Sequence, residues 1–288
     1  MYNIVVLSRS WVEYRAWASR HVVLAEIKDR FRLIALIEEP SSNAEVSGLR
    51  ADILISGKDA IGRIMALPSV VDPEDLILIA ASDDKILSIG FPADNYDKGA
   101  VSGFQPKCYF DAEMKPALSN IATYDNLVDD PGGRIRQYFS YPLPGDNSLY
   151  YGLFKFKPWY ESFLWSIEQI GGIEKINSFH AFDWLWMSRL VYSGLIARPS
   201  DHFQIQRFKT PWKHYHSETD YENNDFVEGN PIWPLIRVLL RAYPDVGLRE
   251  PLFKWFEHKT QERLILTGGK KPDDLLIQYN NALRSYGL

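Results

Sequence analysis

Leu76 to Ala81 forms an unbroken apolar run, Leu-Ile-Leu-Ile-Ala-Ala, that stops abruptly at Ser82-Asp83-Asp84. A run of this length, rich in Ile and Leu and closed by polar residues on both sides, fits a strand buried on both faces. That limits the chain to folds in which helices cover a sheet. In open α/β sheets ligands bind outside the carboxyl ends of the strands, which is where Asp83 and Asp84 fall. Neighbouring side chains on extended backbone point to opposite faces, so the two acids can divide their work. One or two carboxylates together with substrate phosphates are the usual environment of magnesium. An acidic turn closing a strand is the plainer reading of the same dipeptide.

The preceding residues repeat the strand-then-helix pattern. Asn3 to Leu7, Arg32 to Ile37 and Asp52 to Ile55 read as strands. Ser10-Trp11-Val12-Glu13 matches a capping box, and Trp11, Tyr14, Ala18, Val22 and Ala25 recur at helical spacing behind it. Asp59 can cap a helix running to Leu67, where Pro68 stops it. Four strands alternating with helices predict a doubly wound α/β fold, with a mostly parallel sheet flanked by helices.

Further along, Val101 to Tyr109 and Tyr150 to Phe156 read as strands, Pro158 to Ile170 and Ser178 to Tyr192 as helices, and Leu195 to Ala197 as a short strand. Tyr124 to Pro144, with Asp-Pro-Gly-Gly and Tyr-Pro-Leu-Pro inside it, carries turn chemistry and reads as loop. Helices are expected at about 231–242, 251–266 and 272–286. Residues 1–216 are therefore expected to form the catalytic domain, with 217–288 a helical C-terminal extension packed on it.

A net charge of −5 gives no global attraction to nucleic acid or anionic membrane. The single cysteine, Cys108, excludes an internal disulfide and a cysteine-based zinc site, which suits a reducing compartment, the cytoplasm. The apolar stretch Ile4 to Leu7 ends at Ser8-Arg9, too short for a signal peptide or a membrane span.

The order of parts resembles the nucleotide-sugar glycosyltransferases of the GT-A type, in the broad family-2-like group. The matching residues are the first strand with Ser8-Arg9, Leu33 to Glu39, the segment Ser56 to Arg63, the strand into Ser82-Asp83-Asp84, Tyr150 to Phe154, and Phe182-Asp183-Trp184-Leu185. They spread over residues 1–216, with Ser-Asp-Asp followed by Lys85 standing where the family has Asp-x-Asp. The resemblance implies a GT-A-like fold and a nucleotide-sugar donor held with Mn²⁺ or Mg²⁺. It places Ser8 and Arg9 at the edge of the nucleotide pocket, Glu38 on the base N–H, Arg63 near the donor, and Ser82 and Asp83 on ribose or donor sugar. Asp84 would hold the metal at the diphosphate, His214 or His216 would complete the metal shell, and Asp183 would be the general base of an inverting transfer.

Each residue has a structural alternative. Asp183 near a helix start meets the macrodipole favourably, and His180 could orient it or merely pack. Glu38 and Glu39 are also simply strand-end charges, and Trp184, Trp186 and Met187 suit a core better than a sugar platform. A glycan or small molecule is the default expectation for the acceptor, with modified DNA as an alternative. DNA enters only if Arg134, Arg136, Lys155, Lys157, Arg207, Lys209 and Lys213 gather into a basic groove, and scattered solvated charge is the competing reading. A nucleotidyltransferase also wants paired aspartates, yet the Gly-rich phosphate loop it usually brings behind the first strand is missing. A non-catalytic nucleotide- or sugar-binding module is the other alternative, kept open by Lys85 beside the acids.

Overall fold

The computed structural model describes residues 2–21, 31–38, 51–89, 101–110, 114–116, 130–140, 148–179, 181–207, 226–267 and 269–288. They gather into two units. The first comprises Met1–Thr123, Ser148–Glu161 and Ile196–Phe208; the second Tyr124–Asn147, Ser162–Leu195 and Lys209–Leu288. The boundary expected at 216/217 lies outside the described residues.

The first unit is built on β1 (Tyr2–Ser8), β2 (Phe31–Ile37), β3 (Ile53–Ser56) and β4 (Leu76–Ala81). These lie parallel, in the order β3-β2-β1-β4. Val5, Ile34, Leu36, Ile77 and Ala80 are fully buried, as strands with both faces covered require. Helix α1 (Trp11–Arg20) starts where the capping box predicts: Ser10 Oγ accepts from Glu13 N at 3.3 Å. Its buried face is Trp11, Tyr14 and Trp17; the expected Val22 and Ala25 lie outside the described residues. Asp59 caps α2 (Ala60–Met65), accepting from the amides of Ile61 and Gly62 at 3.0 Å each.

Beyond β4 the sheet changes character. The path continues through β8 (Leu153–Lys155), β6 (Val101–Phe110), β9 (Leu195–Arg207) and β5 (Lys85–Ile89), with β7 (Lys115–Pro116) beside β6. β8 is antiparallel to β4 and β6, and β5 is antiparallel to β9. The sheet is therefore mixed, not mostly parallel. β5, which follows β4 after only Ser82, Asp83 and Asp84, does not pair with it and lies at the far end of the sheet path; a parallel neighbour would need a crossover of a dozen or more residues. Gly103 pairs with Phe154, where an added Cβ would overlap the phenyl ring. The expected strand at 150–156 is instead a 3₁₀ turn, Ser148–Tyr151, and the three residues of β8. Helix α4 (Phe156–Ile170) begins before Pro158, because the amides of Phe156 and Lys157 find acceptors in the carbonyls of Asp75 and Pro73, at 2.8 and 3.1 Å.

The second unit is helical over its described residues. α3 (Pro131–Ser140) replaces part of the stretch read as loop. Asp130 accepts from Gly132 N at 3.1 Å and Gly133 N at 2.6 Å, and Pro131 stands first in the helix, where its missing N–H costs nothing. These amide bonds, the one from Gly133 foremost, hold the Asp130 carboxyl below its ordinary range. The helix expected over 178–192 is a 3₁₀ turn, Ile173–Ser178, followed by α5 (Phe182–Ser193), which Ala181 enters in the left-handed region at φ 67°. α6 (Trp233–Ala242), α7 (Arg249–Thr267) and α8 (Leu275–Ser285) complete it. Among the described residues no helix is long and apolar enough to cross a membrane.

Candidate functional site

The chain adds β2 and β3 on one side of β1, then returns to place β4 on the other. Strand order thus reverses between β1 and β4, and in open α/β sheets such a switch point is where ligands bind, beyond the carboxyl ends. Ser8 and Arg9 follow β1 there; Ser82, Asp83 and Asp84 follow β4. Glu38 closes β2 with its amide on Ser8 O at 3.1 Å. Arg63 on α2 donates from Nη1 to the carbonyl of Gly57, just past β3. Seven of the residues singled out from sequence therefore occupy the carboxyl edge of the parallel part of the sheet. Asp183 stands in the second unit, in the first turn of α5. His214, His216, His180 and Glu39 lie outside the described residues.

Electrostatics tie the edge together. Arg9 is solvent-exposed, and its guanidinium is raised above its ordinary value by the hydrogen bond and charge of Glu13, with smaller contributions from Asp83 and Glu38. Burial lowers Arg63, opposed by Glu38 and Asp59. Arg63 is only 5% exposed, yet its Nε has no partner among the described residues, and neither has the Oγ of Ser8 at 4%. Buried polar atoms are nearly always satisfied by protein or water, so this edge carries unused hydrogen-bonding capacity.

The two acids differ sharply. Asp83 is exposed, while Asp84 is 3% exposed. Asp84 folds back on its own turn: its amide donates to Ala81 O at 3.1 Å, and its Oδ2 accepts from Ala81 N at 3.2 Å. Ser82 N, the next amide along, goes to Leu7 O of β1 at 3.0 Å. Amides alternate sides along a strand, so Ala81 N points toward β8, whose pairing with β4 has already ended at Leu78. Asp84 supplies the acceptor the sheet no longer provides.

Among the described residues no group of three His, Cys, Asp or Glu could hold a metal. Asp83 and Asp84 do not make a closed protein cage; an ion there would have to share its coordination with substrate phosphates, and Asp84 already spends one carboxylate oxygen on Ala81 N.

Sequence reasoning assigned Glu13 only a capping role. Its carboxylate accepts from Arg9 N at 2.9 Å, Arg9 Nε at 2.8 Å and Ser82 Oγ at 3.2 Å, linking the turns after β1 and β4. Burial pushes this carboxyl up, but the bonds from Arg9 and Ser82 more than offset it and leave it below its ordinary range. His21, which sequence reasoning passed over, is buried one residue beyond α1. Its Nδ1 lies 2.6 Å from Trp17 O, and its Nε2 accepts from Ile86 N at 2.9 Å. The tautomer follows: the proton sits on Nδ1, because Nε2 needs its lone pair for the amide.

Burial first, then the charges of Arg20 and Lys85, hold His21 below its ordinary value despite the bond to Trp17. A histidine kept neutral in the folded state binds more protons unfolded. Its contribution to stability is complete above the unfolded value of about 6.5 and is lost as pH falls from there through the folded value. Urea midpoints measured from pH 8 to pH 5 should fall on the acid side in wild type and less steeply in His21→Gln.

Arg134 cannot join a basic groove. It is buried, and it donates to Val191 O at 2.9 Å and Tyr192 O at 2.7 Å at the end of α5. Arg136 donates to Val246 O at 2.8 Å and pairs with Asp130. A hollow of about 500 Å³ lies at the opposite, amino-terminal edge of the sheet, bordered by Arg32, Asp72 and Asp75. There Arg32 and Asn3 tie down Asp75, each with a bond of 3.1 Å, and neither Asp83 nor Asp84 lines the hollow.

No protein-family model matches the sequence, and no curated protein matches it significantly. Among solved structures, the mannosyltransferase PcManGT from Pyrobaculum calidifontis, in complex with GDP-Man and Mn²⁺, is similar over 97% of this chain and 79% of that one, with 12% identity and a TM-score of 0.36. The class that fold and site define for the present chain is a mixed α/β protein with an acid-bearing switch point.

Proposed function

We propose that the chain is a glycosyltransferase that takes a sugar from a nucleotide-sugar donor, with Mn²⁺ or Mg²⁺, and passes it to an acceptor hydroxyl with inversion. The observation that carries this reading is the convergence of Ser8, Arg9, Glu38, Arg63, Ser82, Asp83 and Asp84 on the switch point between β1 and β4. Glu38 and Arg63 offer an acceptor and a donor to the nucleoside, and Ser82 and Asp83 face its ribose or sugar. Asp84, with the charge of Asp83 beside it, would hold the metal, with His214 or His216 completing its shell. A divalent ion held there would supply Lewis-acid neutralisation of the charge growing on the diphosphate.

Asp183 acts as general base. The acceptor oxygen bonds to the anomeric carbon while its proton passes to the Asp183 carboxylate, and the carbon–oxygen bond to the diphosphate breaks with its electron pair. A glycan or small molecule is the acceptor class; with Arg134 turned inward, a DNA acceptor loses one of the residues proposed for it. A second reading, a nucleotide-binding module without catalysis, is favoured by one observation: Asp84 is already engaged in its own turn.

A thermal-shift screen of UDP, GDP and their sugars, with and without Mn²⁺, tests both readings. A ligand bound only by the folded chain at a hundredfold excess over Kd adds about 2.7 kcal/mol of apparent stability. Stabilisation by one nucleoside diphosphate that needs Mn²⁺, together with sugar transfer lost in Asp183→Asn while donor binding persists, supports the enzyme. Binding without turnover in wild type supports the module, and no shift with any nucleotide removes both.

A further inference from the structure

We propose that the end of α1 is the positioning element for the acid-bearing loop between β4 and β5, with Arg20 and neutral His21 gripping that loop on either side of Asp83 and Asp84. The role rests on the reading of those acids as ligand-binding groups. Arg20 Nη2 donates to Ser82 O at 2.7 Å, before the acids, and Ile86 N donates to His21 Nε2 at 2.9 Å, after them. Glu13, on the same helix, takes the Ser82 hydroxyl at 3.2 Å. Three side chains of one short segment thus reach both flanks of a loop more than sixty residues away.

The anchor is stiff. Trp17 stacks on the His21 ring with centroids 4.1 Å apart, and Trp17 itself is fully buried. Arg20 also bonds back to Ala16 O at 3.1 Å, which fixes its reach. β5 is the last strand on the sheet path, paired with β9, so the hold at Ile86 sets where the strand after the acids begins. The charged groups facing the ring are Arg20 from α1 and Lys85 from β5. Both are cationic, and a protonated imidazole would have no lone pair for Ile86 N. Acid therefore releases the loop on the Ile86 side, while Arg20 keeps its grip on Ser82.

Glutamine can place an oxygen near the position of Nε2 and does not titrate, which makes His21→Gln the informative variant. Amide hydrogen exchange on the full chain should show His21→Ala speeding exchange at Ile86 and at the loop amides by about tenfold or more, the cost of orphaning one buried amide. Val5 and Ile79, in the core strands, should be unchanged. His21→Gln should restore protection at Ile86, and protection there, corrected for intrinsic rates, should fall from pH 7.5 to pH 5.5 in wild type but not in His21→Gln.

Calorimetry with Mn²⁺ plus UDP or GDP at pH 7.5 should show about tenfold weaker binding in His21→Ala, recovered in His21→Gln, if loop order and affinity move together. Equal acceleration at all amides, or the same pH response in wild type and His21→Gln, overturns the proposal. If His21→Ala does not fold, the pH comparison decides alone. If wild type binds neither nucleotide, the glycosyltransferase reading fails, while the exchange pattern still supports or overturns the grip of α1 on the loop.

Discussion

Asp84→Ala should lower stability by about 1–3 kcal/mol, the cost of leaving the part-buried Ala81 amide without its acceptor. Asp84→Asn should recover most of that loss, since a side-chain amide oxygen can still accept from Ala81 N. Asp83→Asn, at an exposed position, should stay within about 0.5 kcal/mol of wild type. All three should lose Mn²⁺-dependent nucleotide binding, because each removes a negative charge from the proposed metal site. Urea unfolding and calorimetry on the same preparations separate the effects.

The asymmetry between the acids makes this test sharper than alanine alone. A loss of binding in Asp84→Ala could come from a loosened turn, whereas a loss in Asp84→Asn or Asp83→Asn comes from charge. If both asparagine variants bind Mn²⁺ and nucleotide like wild type, the acids only close a strand and the metal assignment is gone.

The parallel half of the sheet was legible because its signal is local and strong. Ile4 to Leu7, Leu33 to Ile37 and Leu76 to Ala81 are apolar runs that only a covered sheet can bury. Ser10 and Asp59 announced their helices through caps that the structure shows bonded. α3 was hidden because Pro131-Gly132-Gly133 reads as a turn in isolation; Asp130 and the packing of Tyr138 and Phe139, both buried, override that weak propensity. β9 runs to Arg207 through Arg198-Pro199-Ser200-Asp201-His202, a stretch with no alternation to betray it. At the candidate site, the position of the acids could be read but not their inequality. That depends on where β8 stops pairing with β4, a long-range fact. His21 was invisible for the same reason, since its partner Ile86 is 65 residues away.

Trp186→Ala should cost about 3–5 kcal/mol, the range for emptying a buried indole site. Trp186 is 2% exposed and packs on Phe163 at 4.8 Å and Phe182 at 6.3 Å between ring centroids. Trp184, at 7%, lies 5.2 Å from Trp255 and 5.6 Å from Tyr138. The run Phe182 to Leu185 carries the proposed base, so a stacked tryptophan beside Asp183 invites a second role as a platform for a sugar ring. A platform must present a face to its ligand, and a sugar-stacking tryptophan cut to alanine should weaken binding while leaving stability within about 0.5 kcal/mol. Trp186 is enclosed by aromatic neighbours, so its loss should appear as a lower urea midpoint. At low urea, the surviving folded fraction should bind nucleotide with unchanged affinity. Reduced affinity in a variant of unchanged stability would reverse the assignment and put Trp186 in the site. With Trp186 confined to the core, Asp183 is left as the residue of that helix on which the transfer chemistry is tested.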